Sequence, residues 1–248
     1  MPGSGTRRLG VLAVGLLAVD ALALTSHRLH HAVLRADPDE RWPLPFRSRA
    51  VWNGGADGSL LELWGLLQLS VAAVLLVLLA RRAPGRRVLG MWGAVLLAMV
   101  LDDLFRLHER AGARLRLERW TTELSAAGGQ ELGGLVFWAV AGAVLGAALI
   151  GAHAASVAPA RRASLLLLAT TAPLGAVAVA YVLLSAFGGG LVHGLPGLVL
   201  VDVRVTVKLL TMTACLVLAL RWTLNPPGGT VPGGPTGAAR ESTAAPAA

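Results

Sequence analysis

The residues that could do chemistry in this chain are carboxylates, arginines and histidines placed at the ends of long apolar runs. The densest group is Leu101-Asp102-Asp103-Leu104-Phe105-Arg106-Leu107-His108-Glu109. At about 100° per helical residue, Asp102, Arg106 and Glu109 fall within a ~60° stripe, with Asp103 to one side and His108 pointing well away. That face offers two carboxylates with a guanidinium between them. The plainer reading is an i,i+4 Asp102–Arg106 ion pair at a helix end. Asp20, His27 and His31 form a second stripe if the first helix continues outward, and the two imidazoles have the i,i+4 spacing that can grip a metal ion. His27, His30 and His31 read equally as a wet interfacial cluster. Glu62 completes an S-x-x-E capping box with Ser59, in which the glutamate bonds back to the helix start. Arg204 and Lys208, one turn apart, could hold a phosphate or carboxylate, or neutralise Asp102, Asp103 or Asp20. Trp64 and Trp92 could supply aromatic walls, or anchor and pack.

The elements that must position these groups are membrane helices. The 248 residues are 55% hydrophobic and 15% charged, with a mean hydropathy of +0.65, all shifted from soluble domains toward lipid. A hydrocarbon layer of about 30 Å needs roughly 20 apolar residues of helix. Six stretches qualify: Leu9–Ser26, Leu60–Ala80, Val88–Phe105, Leu132–His153, Ser164–Phe187 and Val199–Trp222. The expected fold is an all-α polytopic bundle of about six transmembrane helices over residues 1–224, followed by a disordered Pro/Gly/Ala-rich tail over 225–248. The first stretch has a rival reading as a cleaved signal peptide, with Arg7-Arg8 before it and Ala21-Leu22-Ala23 as the small-residue site. Gly142 and Gly146 form a GxxxG expected to pack helices closely. Pro173 is expected to kink its helix, with Thr170 and Thr171 bonding freed carbonyls.

The net charge of +8 does not point to nucleic acid, because the arginines fall in clusters between apolar runs and make no continuous basic face. Arg7-Arg8, Arg81-Arg82 with Arg86-Arg87, and Arg161-Arg162 crowd alternate connections without acids, which puts both termini in the cytoplasm by the positive-inside rule. The expected location is the cell membrane. Asp20, Glu62, the helix-three acids and Lys208 then share the outer half of the bilayer, where the expectation is one polar cavity lined by helices one, two, three and six. The single cysteine, Cys215, lies in an apolar run and reads as packing.

The Leu101–Glu109 segment resembles a pattern in uncharacterised bacterial multi-helix membrane proteins: an acidic pair, an apolar spacer and His-Glu closing a transmembrane helix. In those proteins acids precede a lysine of the last helix, whereas here Arg204, Val205, Thr206 and Val207 precede Lys208. A looser likeness, in length, helix count and membrane-embedded acids, is to small integral-membrane terpene cyclases. It implies an isoprenoid or lipid substrate and no cofactor.

Acid-initiated cyclisation suits a carboxyl held neutral by an apolar pocket. Asp102 or Asp103 would donate the proton, Asp20, Glu62 and Glu109 would assist, and Arg106, Arg204, Lys208, Trp64 and Trp92 would shape the substrate site. The alternatives are a metal-dependent lipid hydrolase or transferase using His27 and His31, and a small proton-coupled transporter in which the buried acids relay protons. A fourth is a scaffold whose charges pair only structurally.

Overall fold

The computed structural model describes residues 4–36, 45–82, 85–119, 125–187 and 194–227, and these form an all-α bundle without strands. The elements are α1 (Ser4–Ala36), α2 (Arg49–Trp52), α3 (Leu60–Arg81), α4 (Arg87–Phe105), α5 (Leu107–Leu115), a 3-10 turn (Leu117–Arg119), α6 (Ala126–Ala154), α7 (Ala158–Phe187) and α8 (Gly194–Leu224). Six of them, α1, α3, α4, α6, α7 and α8, are long and apolar enough to cross a bilayer. The expected multi-pass architecture is therefore correct. Most of the proposed tail lies outside the described residues.

α3 packs against α4 and α8, α7 bridges α8 and α6, and α1 leans on α8. Lipid supplies no hydrophobic drive between helices, so close approach and polar contacts must hold them. Gly93 illustrates the first: a Cβ there would stand 2.8 Å from the Ala73 carbonyl oxygen, so only glycine lets α3 and α4 come this near. The core of this half is dry, with Leu69, Leu76, Leu79, Val88, Leu89 and Leu96 buried across α3 and α4. The two arginine-rich turns at its end are stitched together. Val157 N–H donates to the Gly85 carbonyl at 2.9 Å, and Val88 N–H to Ser156 Oγ at 3.0 Å.

The other end carries α2 and α5. Here α5 lies against the first turns of α6 with the two backbones in close approach: a Cβ on Gly112 would collide with the Gln130 carbonyl, and one on Gly133 would stand 2.6 Å from Gly112 Cα. The GxxxG expectation fails within the chain, since Gly142 and Gly146 face open space. The close packing uses the glycines about two to four turns nearer the start of α6. Pro173 sits inside α7. Thr170 Oγ1 donates to the Leu166 carbonyl at 2.8 Å, and Thr171 Oγ1 to the Leu167 carbonyl at 3.0 Å. These carbonyls lie just before that of Ala169, the one the proline leaves without its N–H.

Candidate functional site

Ionisable residues crowd the α5 end of the bundle, but they do not meet in one cavity. They divide into four groups held by different helices.

The deepest centres on Asp20, which is 1% exposed. Trp64 Nε1 and Gln68 Nε2 of α3 donate to Asp20 Oδ1 at 3.0 and 3.2 Å. Thr213 of α8 bonds its Oδ2, and the same hydroxyl lies 2.6 Å from Gln68 Oε1. Gln68 is eight residues from the start of α3 and thirteen from Arg81, about 12 and 20 Å at 1.5 Å per residue. Asp20 is therefore well inside the apolar layer, with neutral partners. Gln68 and Thr213 carry no formal charge, and nothing in the charge pattern singles them out.

One layer nearer the α5 end, Lys208 Nζ pairs with Asp103 Oδ2 at 2.7 Å and Glu62 Oε1 at 3.1 Å. Glu62 also serves the helix start: Ser59 Oγ accepts from Glu62 N–H at 3.3 Å, while Glu62 Oε2 accepts from Gly58 N–H at 2.6 Å. Both readings of Glu62 hold together, the cap and the bundle-facing acid. Beside it, Glu62, Lys208, Val205 and Met212 line a cavity of about 10 Å³, room for about one water molecule.

The third group overturns the Asp102–Arg106–Glu109 stripe. α4 ends at Arg106, whose backbone is left-handed at φ 50°, so the helix turns and the stripe is broken. Arg106 reaches Asp57 at 3.4 Å instead of Asp102. Asp102, 3% exposed, accepts from His108 N–H at 2.8 Å, His108 Nδ1 at 2.7 Å and Trp138 Nε1 at 2.9 Å. His108, expected to point away, is its main partner, because the bend swings α5 back across the end of α4. The Asp102 hydrogen bond holds the His108 imidazole above its ordinary pKa, with burial opposing. Gly134 makes room: a Cβ there would stand 3.2 Å from the His108 ring. Glu109, one residue on, is half-buried in the first turn of α5.

The fourth group joins α1 to α8. His27 Nδ1 accepts from Gly54 N–H at 3.0 Å. Its Nε2 lies 3.3 Å from an Asp202 oxygen, close enough to attract but outside hydrogen-bond geometry. Arg28 Nε donates to Asp202 at 3.2 Å. His30 Nδ1 donates to the Phe46 carbonyl at 2.7 Å, and the His27 and His31 rings meet edge-on at 4.7 Å. His27 is thus hydrogen-bonded at Nδ1 alone, with Asp202 facing its Nε2, and no cluster of three metal-type ligands forms among the described residues.

The remaining expected site residues separate. Arg204 lies over the Tyr181 ring at 4.4 Å and near Glu131. It makes no anion-binding pair with Lys208. Trp92 is buried toward the arginine-rich end of α4, donating to Ser164 Oγ at 2.8 Å, and lines none of the four groups. Trp64 does reach the site, as a donor to Asp20.

The profile of a domain of unknown function, DUF8692, matches residues 9–219. The chain belongs to that family. The matched span holds all six long helices in whole or in large part, and every residue of the four groups. No curated protein and no solved structure matches the chain.

Proposed function

We propose that this protein is a proton-coupled membrane transporter in which Asp20 is the group that takes up and releases the proton. The observation that carries this reading is the ring made by Asp20, Gln68 and Thr213. Thr213 Oγ1 sits within hydrogen-bond distance of an Asp20 oxygen and of Gln68 Oε1, yet a hydroxyl has one proton to give. With an ionised carboxylate, one of those contacts sets two lone pairs against each other. With a proton on Asp20, each of the three contacts has a donor and the ring closes. Turning the Gln68 amide round, an assignment coordinates alone do not fix, moves the missing proton to the other carboxyl oxygen and leaves the count unchanged. A buried acid inside a transmembrane bundle marks a proton or ion pathway by default.

The Asp202–His27 and Lys208–Glu62–Asp103 groups form the approach. Along α8, Asp202, Lys208 and Thr213 are spaced by about 9 and 7.5 Å. With the arginine-rich turns in the cytoplasm, this column opens outward and ends at Asp20. The test is acidification of proteoliposomes loaded with a pH-sensitive dye. Wild-type protein should carry protons under a gradient, Asp20→Asn should abolish the flux while remaining folded, and equal flux in both would sink the proposal.

The lipid-enzyme reading keeps one supporting observation, the His108 imidazole oriented by Asp102 in the manner of a general base. Acid-initiated isoprenoid cyclisation draws less support, because Asp102 is occupied by three donors and Asp103 by Lys208. Turnover of a prenylated substrate that is lost in Asp102→Asn would favour the enzyme over the transporter.

A further inference from the structure

A second site lies on the outside of the bundle, away from the acids. Ala111, Arg114 and Leu115 of α5 and Val136, Phe137, Val140, Ala141, Val144 and Leu145 of α6 line a groove of about 790 Å³. Its wall is apolar except for Arg114, which forms no ion pair among the described residues. The fold sets the groove's depth. Asp102, near the end of α4, bonds Trp138 of α6, so the turns of α6 before Trp138 stand level with or beyond the end of α4, together with α5. The α6 wall therefore descends from that level into the apolar layer. From Val136 to Leu145 it runs about 14 Å, close to half of a hydrocarbon core of about 30 Å. Val140 and Val144 are 63% and 66% exposed, and a chain lying in the groove would cover them.

An apolar trough one leaflet deep, with a guanidinium on the α5 element at its head, has the layout of a single phospholipid. We propose that the α5–α6 groove seats an acyl chain of an anionic phospholipid, with the lipid phosphate on Arg114. Arginine suits this role because its planar fork can bond two phosphate oxygens at once. The tight glycine contact between α5 and α6 keeps the arginine-bearing helix fixed over the trough. Nothing in this site draws on the proton-carrying role of Asp20.

The experiment uses full-length protein in nanodiscs of equal phosphatidylglycerol and phosphatidylcholine, released into a mass spectrometer under conditions that keep tight lipids bound. Wild-type protein should retain phosphatidylglycerol about fivefold over phosphatidylcholine, the preference that about 1 kcal/mol per interfacial basic residue gives. Arg114→Gln should abolish the preference. Val140→Trp, which fills the trough from its lipid-facing side, should lower retention of either lipid. Equal retention of the two lipids by wild-type protein, or an unchanged preference in Arg114→Gln, would overturn the proposal. So would a second copy of the chain retained in place of lipid. Arg114→Gln should leave the dye-reported proton flux at the wild-type rate, so failure of one reading is distinguishable from failure of the other.

Discussion

The two ends of the bundle are built on different principles. Toward the arginine-rich turns, α3 and α4 bury leucines, valines and alanines against one another, and among the few polar contacts there are Trp92 to Ser164 and Val88 N–H to Ser156. Toward α5, the buried side chains include Asp20, His27, His30, Gln68, Asp102 and Thr213, and hydrogen bonds and ion pairs join the helices beside the close glycine packing of α5 on α6. The comparison teaches that packing holds one end, whereas the other adds polar pairing to packing. The polar end carries a cost that the packed end avoids, because an orphaned donor or acceptor costs about 1–3 kcal/mol and the buried Nε2 atoms of His27, His30 and His31 have no hydrogen-bond partner.

Substitutions can break this contrast. The largest effect should come from Gly112→Val, which drives a side chain into the Gln130 carbonyl and separates α5 from α6. Loss of more than about 4 kcal/mol, read as failure to yield monodisperse protein in detergent, is expected. Lys208→Met should cost about 3 kcal/mol by leaving Asp103 and Glu62 without their cation, visible as a lowered Tm. Adding Asp103→Asn and Glu62→Gln should recover part of it. Thr213→Val removes the hydroxyl from the Asp20 ring and should cost about 1–3 kcal/mol, visible as a lowered Tm.

A smaller and pH-dependent effect belongs to His108. Its pKa is raised by Asp102. The stabilisation is therefore fully present below its unfolded value of about 6.5 and is lost as pH rises through the folded value. Thermal unfolding from pH 6 to 9 should show this decline in the wild type and a flatter profile in His108→Gln. The smallest effect should be Gly142→Ala, which meets open space and should shift stability by less than about 0.5 kcal/mol.

The helices were legible because length and hydropathy are summed over some twenty residues, and single errors average out. The site was legible as an inventory but not as an arrangement. Extrapolating one helix through Arg106 grouped Asp102 with Glu109, and a single left-handed residue reassigned both. Gln68 and Thr213 escaped notice because a neutral side chain in an apolar run looks like packing until its partner on another helix is known. Gly112 and Gly133 were likewise invisible as a pair, since they belong to segments separated by a turn. Glu62 was read well from its own neighbourhood, because capping is local, while its bond to Lys208 required the position of α8.

The make-up of α1 has a consequence for how the protein is made. Among its described side chains the buried ones are Asp20, His27 and His30, and the aliphatic ones lie at least partly toward lipid. Made before α3 and α8, this helix carries an acid for which insertion scales charge about 2.5–3.5 kcal/mol at mid-span. Trp64 and Gln68 arrive with α3, but Thr213 comes only with α8. Biogenesis must therefore shelter an incomplete polar latch until α8 leaves the translocon, and a chain truncated before α8 should be a natural substrate for membrane quality control.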